Sequence, residues 1–480
     1  MNTATMSARA RKRKKKQPRR KRPAFSPIAV PSAYELHVMK RLGCGFSQAT
    51  FAAIRRVGVE KWLETQLSPA TVAEAPLVAA IESWFSPLRR TPAEKAATDD
   101  NDTKPAWTYE NDLGNATMLR RMCSNRQLLE TMVDFWSNHL HISAGADRVY
   151  LHHADYDQML RRNALGRFDD LLVAASTHPA MSLYLDNWRS KKNAPNENQG
   201  RELLELHSVT PAAGYTEDMV KASAVLLSGY SIRTGTYEAF YDSANHTTGA
   251  VKVLGFSHAN TDPDGRAAAE AYLRYLARHP DTARTVARRM AVRFVRDQPS
   301  EELVGHLAEV FTRSGTDIRA TLKALVAHPE FRTSAGQKVR TPVDDLVATA
   351  RALGVTPLAP TSENSFANAL NWVHGGGQLY GWPRPDGAPE TNQQWVSPGR
   401  MLRSFRMHWH LAGGYWPKQG VSYVAGSTRM PRKQMTFGLF FDHLSRSMIG
   451  RASDARSLEA ACLAVDLAPG SIVTRTHRVA

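Results

Sequence analysis

Apolar residues recur three and four positions apart through most of the chain between residues 32 and 470. This spacing places them on one face of a helix and therefore predicts a series of amphipathic helices. Residues 233–260, rich in Thr, Tyr, Val and Gly, break the pattern and predict a small β-hairpin or irregular insert. We expect a mainly α fold, a large multi-helix globular domain with more than half of its residues in helices and its strands confined to roughly residues 233–256.

The chain is long enough to enclose a substantial core. It has 480 residues, of which 42% are hydrophobic, and these can pack as one large domain or as two closely packed ones. We assign the main helical domain to residues 32–425, with a Trp/Pro/Gly-rich loop at 355–399, and a C-terminal helical extension to 426–480. No apolar run approaches the length of about 18 residues that a transmembrane helix needs.

The first 31 residues form a basic tail that we expect to be disordered. Residues 9–22 hold eleven Lys or Arg and no acid, which is most of the net charge of +17. Such a run repels itself, but it could bind a polyanion or an anionic membrane by releasing counterions from phosphates. A solubilising tail or a misassigned start is the alternative without a partner.

The predicted compartment is the cytoplasm. The three cysteines are far apart and match neither a disulfide framework nor a zinc motif, which fits a reducing environment. Arg19 and Arg20 leave a twin-arginine export signal open, although the proline-rich segment behind them lacks the apolar run that such a signal carries.

The stretch APNENQGRELLELHSV, residues 194–209, combines three carboxylates, an arginine and a histidine with several leucines. On a helical wheel Asn198, Arg201, Glu202 and Glu205 form one polar edge, whereas His207 falls among the leucines. The simplest interpretation is a solvated helix face, where each ion pair is worth only tenths of a kcal/mol. The alternative is that this edge borders an internal cleft and carries chemistry.

Residues 128–141 repeat the arrangement. A polar stripe that includes Asp134 and Asn138 lies on one side of the predicted helix, and His139 lies among apolar neighbours on the other. Either histidine alone would commonly be a core residue bonded to a backbone carbonyl. Because two segments show the same feature, beside His246 in the insert, a polar site between helices becomes a serious alternative.

Two chemistries fit such a site. His139, His207 and His246 could bind a divalent metal that activates water for hydrolysis. Alternatively, a carboxylate whose pKa is raised by burial could act as a general acid or base without a metal. In both cases the catalytic candidates are Asn198, Arg201, Glu202 and Glu205, because they share the polar edge.

Several blocks of the chain resemble the bacterial family catalogued as domain of unknown function 1800. They include DFWSNHLHI (134–142), APNENQGRELLELHSV, GYTEDMVKASAVLLSGYSI (214–232) and GWPRPDGAPETNQQWVSPGRMLRSF, and the resemblance spans roughly residues 35–415. It implies a mainly α-helical fold and no established activity, and many members carry export signals. Ser137 stands where the family pattern has a histidine, so a metal site on this helix would depend on His139 and His141.

Two classes of function therefore compete. The first is a metal-dependent or general acid/base hydrolase-like enzyme with a His/Glu site between helices. The second is a non-enzymatic helical scaffold that binds a protein or polymer partner, with the Trp-rich loop as contact surface and a polyanion-binding tail. The sequence contains no P-loop, dinucleotide fingerprint or G-x-S-x-G elbow that would name a substrate.

Overall fold

The computed structural model of the protein describes residues 25–361, 365–373 and 379–476. It is 59% helical, which confirms the predicted mainly α fold. Residues 1–24 of the predicted disordered tail, including the polyanion contact through residues 9–22, lie outside the described residues. Residues 25–31 of that tail are described, and the Phe25 ring packs against His443 with the centroids 6.1 Å apart. Within the described part of the chain, no helix is both long and apolar enough to cross a membrane.

The N-terminal part of the fold consists of helices whose ends follow from local sequence signals. The side chains of Ser32 and Glu35 each accept a hydrogen bond from the other's backbone N–H, a capping box that starts α1. Gly58, at a φ of +83°, ends α2 and turns the chain into α3. The helices are α1 (Ala33–Arg41), α2 (Gln48–Val57), α3 (Val59–Leu67), α4 (Pro76–Trp84), α5 (Pro92–Asp100), α6 (Ala106–Cys123) and α7 (Gln127–His139).

The central part contains the polar stretch and the predicted insert. Its helices are α8 (His153–Asn163), α9 (Phe168–Ser176), α10 (Pro179–Tyr184), α11 (Asn198–Glu202) and α12 (Glu217–Leu227), and α11 continues directly into a π-helical segment, Leu203–His207. The insert forms two antiparallel hairpins, β1 (Tyr230–Ile232) with β2 (Ala239–Tyr241) and β3 (Val251–Val253) with β4 (Phe256–His258).

The remaining helices follow the insert. They are α13 (Arg266–Ala277), α14 (Pro280–Phe294), α15 (Glu301–Arg313), α16 (Ile318–Ala327), α17 (Pro329–Thr333), α18 (Pro342–Leu353), α19 (Phe366–Val373), α20 (Asn392–Trp395), α21 (Pro398–Gly413), α22 (Phe437–Ile449) and α23 (Ala455–Val465). The predicted loop at 355–399 thus contains two helices, α19 and α20. They are too short to produce a recognisable helical period among the surrounding Gly and Pro residues.

The prediction that strands are confined to the insert is wrong. Two further antiparallel two-stranded sheets pair strands that are distant in sequence, β5 (Thr356–Pro357) with β6 (Val421–Ser422) and β7 (Gln434–Thr436) with β8 (Ile472–Thr474). Strands of two or three residues cannot show an alternating pattern, so periodicity does not reveal them.

The main hydrophobic core is formed by helices of the first two thirds of the chain. Trp136 and Phe168 are fully buried with their rings 5.4 Å apart, and the Phe311 ring packs against Phe168 at a tilt of 56°. A second cluster, which includes Leu119, Leu346 and Leu411, joins α6 and α18 to α21. The candidate site lies along the edge of the first core, where α7 meets α11 and α14.

Candidate functional site between α7, α14 and the α11 segment

The polar stretch is held against α12 by a close backbone contact. A Cβ atom on Gly200 would lie 2.7 Å from the backbone nitrogen of Ala224, so only glycine permits this approach. The hydroxyl of Ser223 donates to the Gly200 carbonyl oxygen at 3.2 Å, and the Gln199 amide donates to the Ser176 carbonyl oxygen at 2.5 Å. These contacts fix the orientation of α11, and with it the side chains that follow.

The helix widens after Glu202 into the π-helical segment Leu203–His207. Such segments are rare and occur frequently at functional sites, because the extra residue per turn redirects side chains. Leu203, Leu204 and His207 are buried, whereas Glu202 and Glu205 stay partly exposed. The hydroxyl of Ser208 donates to the Leu203 carbonyl oxygen at 2.5 Å and satisfies one of the carbonyl groups at its end.

The structure brings two of the three predicted metal ligands together. His139 Nε2 lies 3.2 Å from the carbonyl oxygen of His207, and both side chains are 2% exposed. Burial lowers the pKa of His207 to about 3, assisted by the positive charge of Arg289, and lowers that of His139 well below its usual range. Both rings are therefore neutral at pH 7. His139 Nδ1 and His207 Nε2 have no hydrogen-bond partner among the described residues.

A cavity of about 420 Å³ opens beside His139. Its walls are Phe135, Asn138 and His139 from α7, Arg288, Arg289 and Val292 from α14, and the loop residues Arg384, Asp386, Gly387, Ala388, Pro389 and Glu390. The loop is attached to α7 by the Asn138 side chain, which donates to the Ala388 carbonyl oxygen at 2.8 Å and accepts from the Ala388 N–H at 2.7 Å.

Arg289 is the cation of this cavity that has no carboxylate in contact. Its guanidinium makes no ion pair or hydrogen bond with the described residues, and burial lowers its pKa while the charges of Glu390 and Asp386 act in the opposite direction. The other charged groups are paired: Arg288 with Glu301, Arg384 with Asp386, and Glu390 with Arg293. The cavity wall therefore contains the positive charge of Arg289 without a carboxylate in direct contact among the described residues.

Glu202 is the carboxylate of the polar edge whose acidity changes. Burial raises its pKa, the negative charges of Glu205 and Asp386 raise it further, and Arg201 acts against them. Within the described residues, no ion pair or hydrogen bond holds the Glu202 carboxylate. Burial, with smaller contributions from Glu202 and Asp386, also raises the pKa of Tyr184 to about 12. Glu202 is not among the residues that line the cavity of about 420 Å³, but the charge of Asp386 in its wall acts on the Glu202 carboxyl.

The other two residues of the polar edge are more exposed. Arg201 pairs with Glu217, with an Nη2–Oε2 distance of 2.6 Å, and also with Glu197 at 3.4 Å. Asn198 is exposed, and its backbone N–H donates to the Asn196 side chain at 2.9 Å. Arg201 and Asn198 therefore lie on the solvent side of the same helix, next to Glu202.

His246 belongs to a different cluster, at the insert. Its Nδ1 lies 3.0 Å from the Ser228 carbonyl oxygen, and its Nε2 lies 3.0 Å from Oδ1 of Asn260, so both ring nitrogens are engaged. A side chain on Gly265 would collide with the ring, which is also covered by Tyr241. Throughout the described ranges, no group of three or more His, Cys, Asp or Glu side chains is arranged to hold a metal ion.

A buried ion-pair network next to the cavity was not predicted from the sequence. Arg121, almost fully buried, donates to Asp134 at 2.8 Å and to Asp344 at 2.7 Å. Arg293 bonds to the second oxygen of Asp134 at 2.7 Å and to Glu390 at 3.1 Å. Asp134 lies on the predicted polar stripe of α7, but the other members of the network come from α6, α14, α18 and the loop before α20, and sequence spacing cannot reveal such pairs.

A smaller cavity of about 170 Å³ lies on the other side of this network, lined by His141 and Trp382 among others. His141 Nε2 lies 2.8 Å from the Trp382 carbonyl oxygen, and burial lowers its pKa. The predicted Trp-rich loop therefore forms a wall of the site, with Trp382 against α7. The site as a whole combines neutral imidazoles, an unpaired cation and a carboxylate that is protonated more readily than usual.

Comparison with known proteins agrees with the resemblance in sequence. Neither the curated proteins nor the solved structures include a match to this chain. The family model described as "Protein of unknown function (DUF1800)" matches residues 37–476, nearly the whole chain, and includes both α7 and the α11 segment. The chain therefore belongs to the DUF1800 family.

Proposed function

We propose that this protein is a hydrolase-like enzyme in which Glu202 transfers protons as a general acid or base without a metal. The observation that carries the proposal is the raised pKa of Glu202, a partly buried carboxylate without an ion-pair partner among the described residues. A general acid or base works best when its pKa approaches the working pH, and burial beside other carboxylates is a common way to raise the pKa of a glutamate.

Neighbouring groups suit this role. Glu205, one turn away, keeps a negative charge near Glu202 and favours its protonated form. The Tyr184 hydroxyl, with its pKa raised to about 12, remains a neutral hydrogen-bond donor at pH 7. Together they form the acidic side of the proposed site, with Arg201 and Asn198 at its solvent edge.

The opposite side of the proposed site would bind the substrate through Arg289. An unpaired guanidinium in a cavity of about 420 Å³ favours an anionic group, and its planar donors match a carboxylate or a phosphate. The Asn138 amide and the neutral His139 ring on the same wall add polar groups without adding charge. We therefore expect a small substrate with one carboxylate or phosphate group.

The positions of the histidines favour the metal-free chemistry over the metal-dependent one. Both ring nitrogens of His246 are engaged in hydrogen bonds, and one of His139 faces the His207 carbonyl oxygen. The free nitrogens of His139 and His207 would supply two ligands, whereas a catalytic zinc usually takes three from the protein.

A direct test is to measure the pKa of Glu202 in the whole protein by ¹³C NMR with glutamate labelled at the carboxyl carbon. The Glu202 signal is assigned by its loss in Glu202→Gln, and we expect it to titrate above the ordinary glutamate value of about 4.3. A Glu202 signal that titrates at or below that value would overturn the proposal, because Glu202 would then lack the raised pKa on which its role as a general acid or base depends.

Hydrolytic activity provides a second test of the proposed role of Glu202. Chromogenic p-nitrophenyl esters, phosphates and glycosides that carry an additional carboxylate are offered to the wild type and to Glu202→Gln. We expect hydrolysis of one class to fall at least about a hundredfold in the variant, since general acid–base groups typically contribute that much. Glu302→Gln, the same change at an exposed site on α15, is the matched control and should retain full activity. Equal rates for Glu202→Gln and wild type would remove Glu202 from the reaction.

A further inference from the structure

Six large hydrophobic side chains are exposed on α21 and the turn that follows it. Leu402, Phe405 and Trp409 are 65%, 59% and 67% exposed, respectively, and Met401 lies beside them on the same helix. The stripe continues into the turn, where the Tyr415 ring lies 5.6 Å from that of Trp409 and Trp416 is also exposed. Such a concentration of exposed aromatic and aliphatic side chains marks an interaction surface.

The three faces of α21 are sharply separated. At about 100° per residue, Met401, Phe405, Trp409 and Leu402 span an apolar arc of roughly 100°, and Arg406, His410 and Arg403 follow in a basic arc beside it. The remaining arc contains Met407 and Leu411, which are buried in the second core cluster. The helix is therefore anchored on one side and presents adjacent apolar and basic stripes to solvent.

The charge of the exposed surface has one sign. α21 carries no Asp or Glu of its own, and Arg403 and Arg406 form no ion pair with the residues that the structure describes. Lys418 adds a further exposed cation just after the aromatic turn. The stripe thus combines an apolar surface with unpaired positive charges along one flank.

We propose that this face of α21 binds an anionic lipid surface, with the apolar stripe inserted between headgroups and Arg403 and Arg406 on lipid phosphates. An interfacial helix has this composition: Trp, Phe and Leu on one face and arginine at its polar border. Aromatic rings favour the headgroup region because they are apolar with a polar edge. Each basic residue near an anionic membrane adds further attraction.

Charge argues against two other occupants of the stripe. A symmetric dimer through this face would place two copies of the arginine flank at one interface, because both partners present the same patch, and α21 has no carboxylate to pair with them. The basic segment 9–22 of this chain has eleven Lys or Arg and no acid, so it would be repelled by the arginine flank. Anionic lipid headgroups would instead neutralise the positive charges of both Arg403 and Arg406.

The test uses the full-length protein and co-flotation with vesicles of phosphatidylcholine mixed with phosphatidylserine. The variant Phe405→Ser/Trp409→Ser should lower the partition coefficient roughly tenfold or more, because two large apolar side chains no longer enter the membrane. Trp107→Ser/Leu463→Ser, which removes exposed hydrophobic side chains on α6 and α23, is the matched control and should bind like the wild type. All substituted positions are exposed, so the melting temperatures should agree.

A second experiment distinguishes the contribution of Arg403 and Arg406 to vesicle binding from that of the basic tail. Arg403→Gln/Arg406→Gln should weaken binding to the mixed vesicles by several fold and leave the weaker binding to pure phosphatidylcholine unchanged. If Phe405→Ser/Trp409→Ser binds the mixed vesicles as tightly as the wild type, the tail alone accounts for binding and the proposal fails. It also fails if the wild type ignores vesicles but forms a dimer in solution that the same variant abolishes.

Discussion

His139 Nε2 lies 3.2 Å from the backbone carbonyl oxygen of His207, and this contact joins α7 to the π-helical segment at the edge of the main core. Both imidazoles are buried beside the cation Arg289, so each must remain neutral for the fold to stay intact. The neutral ring of His139 can donate to the carbonyl only from the protonated nitrogen, which leaves its buried Nδ1 as an acceptor without a partner among the described residues.

This pair makes folding stability depend on pH in a defined direction. The unfolded chain protonates its histidines near pH 6.5, whereas folded His207 does so only near pH 3, and burial holds the pKa of folded His139 well below its usual range. The unfolded state therefore binds more protons below pH 6.5, and stability falls as pH falls. We expect the protonation linked to His207 alone to lower the free energy of unfolding by about 2 kcal/mol between pH 7 and 5, and His139 to lower it further.

Urea unfolding of the wild type and His207→Gln at the two pH values measures this effect. The variant should lose about 2 kcal/mol less than the wild type over the same interval, because one of the two linked protons is removed. His306→Gln, at an exposed position on α15, should leave the pH dependence unchanged. An identical pH dependence in His207→Gln and wild type would mean that His207 is protonated or exposed in the folded protein.

The ion-pair network around Asp134 should be sensitive to the loss of a single charge. Asp134→Asn leaves Arg121 and Arg293, whose side chains are 2% and 9% exposed, with one carboxylate fewer. Burial raises the pKa of Asp134 against the effect of these two arginines, so we expect a loss of about 3 kcal/mol in unfolding free energy at pH 7, at the lower end for a broken buried pair. Glu309→Gln breaks a pair with Arg313 in which both side chains are exposed, so it should cost less than about 0.5 kcal/mol. Similar losses in the two variants would show that Asp134 is not desolvated.

The sequence predicted the helices because their signal is local, but it predicted the site only in part. The wheel that placed Asn198, Arg201, Glu202 and Glu205 on one edge assumed a regular α-helix, whereas the chain widens into a π-helix from Leu203. Two contacts accompany that change, the packing of Gly200 against α12 and the hydrogen bond from the Ser208 hydroxyl to the Leu203 carbonyl oxygen. Helical periodicity in the sequence predicts neither contact.

The cavity itself could not be predicted, because its walls come from distant parts of the chain. Arg289 lies on α14 and Asp386 in the loop before α20, and neither occurs at a recognisable spacing from His139. His246 shows that a residue type suited to a metal site does not by itself predict the contacts of the side chain. His246 has the right chemistry for a metal ligand, but the hairpins hold it between Ser228 and Asn260 instead.

Gly200 allows a test of how tightly the polar stretch is held. Gly200→Ala places a Cβ 2.7 Å from the Ala224 backbone nitrogen and 3.1 Å from the Val220 carbonyl oxygen, so α11 must shift. We expect a loss of about 1–3 kcal/mol in the free energy of unfolding, as in other overpacked sites. Gly305→Ala is the matched control, because nothing lies near its Cβ and alanine should stabilise α15 by about 0.5–1 kcal/mol. A stabilising Gly200→Ala would contradict the close contact with α12.

Glu202 should behave in the opposite way to Asp134 when it is converted to its amide. Asp134 is held by two arginines, but Glu202 has no ion-pair partner in the described chain and lies near Glu205 and Asp386. Its negative charge therefore opposes folding, and Glu202→Gln should leave the free energy of unfolding unchanged or raise it by up to about 1 kcal/mol at pH 7.

The pH dependence of the unfolding free energy provides the control for Glu202→Gln. A carboxylate whose pKa is raised in the folded state stabilises the fold below the unfolded pKa, near 4.3, and this contribution is lost as pH rises through the folded pKa. Any advantage of Glu202→Gln should therefore be present at pH 7 and absent at pH 4. A destabilisation of more than about 1 kcal/mol at pH 7 would mean that the carboxylate is paired, and the polar edge would then be structural, since its charge would hold the fold together.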